Sequence, residues 1–336
     1  MKKILLSLCT ILVLCNACSM KNDTTVYQTN EVPSTTENVS IKTDIKLAGL
    51  QGPTSMGLAK LLTDAKENNT KNNYEFSIYS QADQLTPDLV KGNIDLACVP
   101  ANLASILYNN TNKAIQVLNI NTLGVIYVVE RNNAITNIQD LKGKTVYVSG
   151  KGQTPEYSFR FILKKNNIDP DKDIDMQFMS EHSEIVSKLK EDKNAIALLP
   201  QPFVTIASTT LNDLNVSLDL TKEWEKVDSS KMITGVLVGR KEFIDNNKEA
   251  IKTFLSEYKS SIEYVNQNVD DAAKMIGDLD IFKEAIAKKA LPYCNIYYED
   301  NNEMKNDLSG YFKSLFDENP KSIGGTMPSD DIYFIY

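Results

Sequence analysis

From Ile41 onward, apolar and polar positions fall into short blocks that switch between a two-residue and a 3.6-residue period. Asp44 to Leu50 is read as a strand. Gly52-Pro53-Thr54-Ser55 turns into a helix whose Leu58, Leu61, Leu62 and Ala65 share one face. Tyr74 to Tyr79 predicts a strand, Thr86 to Lys91 a short helix, and Ile94 to Val99 a strand ending at Pro100 before a helix over Ala101 to Tyr108. The order then returns at an offset of one hundred residues. Lys144 to Ser149 is a strand, Gly152-Gln153-Thr154-Pro155 turns into a helix carrying Phe159, Ile162 and Leu163, and Ile174 to Met179 is a strand. Ser183 to Lys190 is a helix, and Ala195 to Leu199 is a strand ending at Pro200 before a helix from Phe203.

At this offset Gly52 aligns with Gly152, Thr54 with Thr154, Ser80 with Ser180, Leu89 with Leu189 and Pro100 with Pro200. The ungapped match of element order predicts two similar α/β halves, each with a mostly parallel sheet. Gln116 to Glu130 is strand-like and passes from the first half to the second; Met232 to Arg240 passes back. Two crossing strands imply a hinge. The remainder is helical: Ile251, Phe254, Leu255, Tyr258, Ile262 and Val265 form one apolar stripe. Asp280 is read as capping a helix to Leu291, and Met304, Leu308, Tyr311, Leu315 and Phe316 mark the last one.

The first forty residues stand apart from this pattern. Lys2 and Lys3 precede an apolar run over 4–14, and Ala17 stands directly before Cys18. The layout is that of a signal peptide, too short to span a membrane. It resembles a lipobox, in which Cys18 is lipidated and becomes the mature N-terminus; an ordinary secretory signal is the alternative. Ser19 to about Ser40 is rich in Asn, Thr, Ser, Glu and Lys and reads as a tether. The divisions are therefore 1–17 signal peptide, 18–40 tether, 41–127 with 234–336 as lobe one, and 128–233 as lobe two.

Charge narrows the partners. The formal charge of −8 becomes −10 once Lys2 and Lys3 are removed, which argues against nucleic acid. Only Arg131, Arg160 and Arg240 could grip an anion bidentately. Cys98 and Cys294 show no metal spacing and are expected as buried thiols; neither a metal site nor a cofactor is expected.

Ligands of open α/β sheets bind beyond the carboxyl ends of the strands. The turns Gly52, Pro53, Thr54, Ser55 and Lys151, Gln153, Thr154, Glu156, Tyr157 fall there, with free N–H groups and hydroxyls at helix starts. Glu181 and the sole histidine, His182, follow the next strand of the second half, and Gln81 with Asp83 occupy the matching place in the first. Pro100 with Asn102 and Pro200 with Gln201 end the third strands. Hydrolytic chemistry is unmotivated, since no Gly-x-Ser-x-Gly elbow appears.

Lys46-Leu47-Ala48-Gly49-Leu50 with Gly52-Pro53-Thr54, Asn93-Ile94-Asp95-Leu96-Ala97 with Val99-Pro100, Asp140-Leu141-Lys142-Gly143-Lys144 and Ala197-Leu198-Leu199-Pro200 carry a resemblance. Over about Ile41 to Pro328 the chain resembles the solute-binding proteins of nitrate, sulfonate, taurine and thiamine-precursor importers. The resemblance implies a two-lobed type II periplasmic-binding-protein fold that closes on a small polar or heteroaromatic solute. It also implies delivery to an ABC permease and its ATPase by a monomer, held by a lipid anchor on the outer face of the cell membrane. Two alternatives remain: a sensing or surface-interaction lipoprotein, and a pyrimidine-synthesising enzyme that consumes its own histidine and a bound pyridoxal phosphate. The enzyme needs a cytosolic address and a cysteine-rich motif, neither of which the sequence offers.

Overall fold

The computed structural model describes residues 42–336; the leader, Cys18 and the tether lie outside the described residues. The first half runs β1 (Asp44–Leu50), α1 (Pro53–Met56), α2 (Ala59–Lys66), β2 (Asn73–Tyr79), α3 (Ala82–Lys91), β3 (Leu96–Pro100), α4 (Ala101–Asn110) and β4 (Ile115–Leu123). Next come β5 (Ile126–Glu130), β6 (Lys144–Ser149), α5 (Thr154–Lys165), β7 (Ile174–Met179), α6 (His182–Glu191), β8 (Ile196–Pro200), α7 (Phe203–Thr210), β9 (Asn215–Asp219) and α8 (Leu220–Glu225). The chain ends with β10 (Ile233–Arg240), α9 (Lys241–Asn246), α10 (Lys248–Gln267), α11 (Val269–Asp278), α12 (Glu284–Ala290), β11 (Ile296–Glu299) and α13 (Asn301–Glu318).

Two sheets result, with strand orders β11-β4-β10-β3-β1-β2 and β7-β6-β8-β5-β9. The one-hundred-residue correspondence holds strand by strand, β1 with β6, β2 with β7, β3 with β8 and β4 with β9. Both sheets are mixed rather than mostly parallel. In the first, β2, β1 and β3 are parallel and β10 and β11 antiparallel; in the second, β7, β6 and β8 are parallel and β5 runs antiparallel to β8 and β9. The crossing strands cause this. Strand β5 follows β4 with no helix between them, and β10 returns from the second half after α8 to lie antiparallel between β3 and β4.

The stretch Gln116 to Glu130 is thus two strands, broken at Gly124-Val125, and the chain changes sheet at the break. The return crossing lies beside it: Ile233 pairs with Leu123, and the Thr234 hydroxyl donates to the Leu123 carbonyl at 2.5 Å. Gly124 is buried there, and a Cβ would run into Thr221 and Met232. At the far end of the first sheet, Arg240 donates to Asp95 at 2.7 Å and to the Ile94 carbonyl at 3.0 Å. Asp95 in turn accepts the Lys46 amide at 2.9 Å, which ties β10, β3 and β1 together.

Three further expectations change. The first helix is two helices, because the chain bends at Gly57, where a Cβ would lie 2.7 Å from Ile262. Helix α3 begins one turn before Thr86, with Pro87 inside it on the exposed side, where its missing N–H leaves a carbonyl to water. Asp280 caps nothing: it adopts φ 54° in the turn after α11, and α12 starts at Glu284.

Helix α13 packs on α5 of the second half. Phe161 stacks on Trp224 with ring centroids 4.3 Å apart, and Trp224 meets Tyr311 at a tilt, 5.3 Å between centroids. The Tyr311 hydroxyl meets Ser158 at 3.0 Å, and Lys164 pairs with Glu318 at 2.7 Å. One apolar cluster therefore includes residues of both sheets. Cys98 and Cys294 are free and buried, and burial pushes the Cys98 thiol up to about 12.

Candidate functional site

The carboxyl ends of β1, β2, β3, β6, β7 and β8 meet around a cavity of about 490 Å³. Its walls hold two turns related by the one-hundred-residue offset. In the first half, Gly52 takes φ 136°, a region closed to side chains, so that Pro53 opens α1 and Thr54 reaches the cavity. The Thr54 methyl presses on Gly235 of β10, where a Cβ would lie 2.6 Å from it. Ser55 is fully buried and donates to the Leu50 carbonyl at 2.7 Å, so it shapes the turn from beneath. With only four residues, α1 presents little dipole; α5, with twelve, is the stronger helix start.

In the second half, Gly150 and Gly152 take φ 74° and 75°, and the Gln153 amide donates to the Gly150 carbonyl at 2.9 Å. Gln153, Thr154 and Pro155 line the cavity. Glu156 instead braces the loop: it accepts the Gly152 amide at 2.7 Å and Arg160 at 2.9 Å, and Arg160 continues to Asp171 at 2.8 Å. Lys151 is exposed, its ammonium 5.2 Å from the centre of the Phe178 ring. Tyr157 is half-buried against the shared core. Asn102 is buried with both ends used, accepting from Thr154 at 2.9 Å and donating to the Ser322 carbonyl at 3.1 Å. Ser55, Asn102, Lys151, Glu156 and Tyr157 are therefore not on the cavity wall. Gly52, Pro53, Thr54, Gln81, Pro100, Gln153, Thr154, Glu181, His182 and Gln201 are.

Gln81 and Glu181, equivalent positions of the two halves, touch across the mouth. The Gln81 amide nitrogen donates to both carboxylate oxygens of Glu181 at 3.0 Å. Behind them, His182 Nδ1 is hydrogen-bonded to Ser149, and its ring lies 4.7 Å from Phe203, which meets Phe282 edge-on at 5.9 Å. His182 keeps some surface in the cavity, yet its imidazole sits deep enough that burial pushes its pKa down to about 4. It is neutral near pH 7. Gln201 is buried, its side-chain oxygen accepting from Thr205 at 2.8 Å, and its peptide bond to Pro202 is cis.

Phe282, which lies in a turn far along the chain, and Thr122, Val125, Ile126 and Thr234, which the crossings bring in, carry no local sequence signal. Leu50, Gln51 and Ser80 flank predicted positions and were within reach of the strand-end rule. Phe203 was read only as a helix start. A larger hollow of about 1020 Å³ lies between α7, β9 and α8 and the segment Lys289 to Tyr293, sharing Gln201 with the first. It lacks the paired turns, and the smaller cavity is the candidate site. Glu181 is the only carboxylate lining that site, and no lysine or arginine lines it among the described residues. Such a lining offers amide and hydroxyl groups plus an aromatic wall, suited to orienting a small polar molecule.

Residues 112–272 match a family model described as NMT1/THI5 like. No curated protein matches the sequence. Among solved structures, an ABC transporter protein from Parabacteroides distasonis aligns with TM-score 0.72 and 22% identity, covering 87% of this chain and 99% of that one. The periplasmic aliphatic sulphonate binding protein of Escherichia coli aligns with TM-score 0.69 and 13% identity over 88% of this chain and 92% of that one. The ligand binding component of an ABC-type import system from Staphylococcus aureus aligns with TM-score 0.68 and 16% identity over 87% and 96%. The fold is that of the periplasmic binding proteins.

Proposed function

We propose that this chain is the extracytoplasmic solute-binding component of an ABC importer, holding a small polar or heteroaromatic solute between two lobes. The observation that carries the reading is the convergence of equivalent turns and strand ends from both halves on one cavity. A solute touching both halves binds the closed arrangement better than the open one, and that differential affinity drives closure. The lobes are 41–127 with 234–336, and 128–233. Cys18 anchors the chain to the outer face of the membrane through lipid, and the closed monomer docks on a permease served by an ATPase. The family description and the folds of the importer proteins support this reading.

The rival enzyme would draw on His182, which does line the cavity, but no lysine lines it among the described residues to hold pyridoxal phosphate. Its neutral imidazole, hydrogen-bonded to Ser149, is accounted for as part of the binding wall. Thermal denaturation of residues 41–336 with thiamine precursors, sulfonates, nitrate, flavin-like heterocycles and amino acids tests the proposal. A ligand at a hundred times its Kd adds about 2.7 kcal/mol, and the expected rise in Tm is roughly 2–4 °C per kcal/mol for a chain of this size. A flat response to every class would remove the support.

A further inference from the structure

We infer that Glu181 sets the charge the cleft accepts, so that the solute is neutral or cationic, carries an N–H donor group, and is not an anion. The inference rests on the solute-binding reading above and names the substrate class for that same cavity.

Four observations lead to it. The cavity wall contains one carboxylate, Glu181, and neither lysine nor arginine among the described residues. The three arginines are committed elsewhere: Arg131 to Asp213, Arg160 to Glu156 and Asp171, and Arg240 to Asp95. The sole histidine, whose imidazole is held neutral by desolvation, brings no positive charge near pH 7. The Glu181 side chain faces the other half of the cleft, where both its oxygens accept from the Gln81 amide nitrogen at 3.0 Å.

An anion entering this space would lose its hydration with no cation to replace it, and would stand near a like charge. An amine, amidine or amino-substituted ring would do the opposite. Its N–H group can take the place of the Gln81 amide on Glu181, a bond strengthened because the acceptor is charged. The aromatic wall of His182, Phe203 and Phe282 suits a flat body attached to such a donor. Glu181 stands at the start of α6 in a capping box with Glu184, whose side chain accepts the Glu181 amide at 3.3 Å, and this fixes the Glu181 carboxylate at the cleft with both oxygens on the Gln81 amide nitrogen.

Three probes of nearly one shape separate charge from size: benzamidine, benzamide and benzoate. Calorimetric titration of residues 41–336 with each, at pH 7 and low salt, is expected to rank benzamidine first. Benzoate should be at least tenfold weaker than benzamidine. Glu181→Gln keeps the shape and removes the charge; it should weaken benzamidine about tenfold while leaving benzamide within about twofold. Lys151→Ala, at an exposed lysine of the turn that does not line the cavity, should leave the ranking unchanged. Benzoate binding as tightly as benzamidine, or a ranking unaltered by Glu181→Gln, would overturn the inference and leave the solute-binding reading intact. Probes that all fail to bind, together with a flat response to the wider panel, would overturn both.

Discussion

His182 is hydrogen-bonded to Ser149 through Nδ1 and rests against the Phe203 ring. That His182 stands at a strand end facing the ligand space follows from its position after Met179; that it is neutral and rests on Phe203 does not, because Phe203 comes from a different strand end. Its folded pKa of about 4 lies below the unfolded value of about 6.5, so the neutral form is the one the fold favours. The stability it contributes is present above pH 6.5 and is lost as pH falls toward 4, by up to about 3 kcal/mol. Urea unfolding at pH 7 and 4.5 should show the loss, and His182→Gln should flatten most of that pH dependence. Elsewhere the polar residues divided in a way that no sequence rule could settle. Thr54 and Gln153 reach the cavity, whereas Ser55, Asn102 and Glu156 satisfy backbone groups. Hydroxyls, amides and carboxylates near helix starts look alike until the third dimension says which partner is closer.

The elements were legible where one face is buried and periodic. Strands β1, β6 and β7 have the boundaries expected, and Phe159, Ile162 and Leu163 point α5 into the core. What the pattern missed were short pieces, β9, α8 and β11, too brief to show a period. It also missed the bend at Gly57, which depends on Ile262 two hundred residues away. The same dependence gives a test at this scale. Gly235 in β10 leaves room for Thr54, and an alanine there would put Cβ 2.6 Å from the Thr54 methyl and 2.9 Å from Thr122. Overpacking of this kind costs typically 1–3 kcal/mol. Gly235→Ala should lower Tm, and it should weaken the best ligand of the panel beyond what Tm loss explains, since the displaced residue lines the cavity. Calorimetry on the folded variant separates the two effects.

For the whole molecule, the repeat of one hundred residues predicts the two-lobed architecture, because element order survives where identities have faded. It could not give the sheet composition. Strands β5 and β10 each follow a four-strand set of the same order, yet β5 sits between β8 and β9, and β10 between β3 and β4. Each half thus lends its fifth strand to the other, an internal domain swap held within one chain. Separate expression of 42–133 and 134–336, cut in the exposed loop after β5, would leave the second sheet without β5 and the first without β10. Neither fragment should give a cooperative melt alone, and mixing should restore one, read by circular dichroism. The two halves of this molecule are therefore not lodgers sharing a hinge but mutual chaperones, each incomplete until the other has arrived.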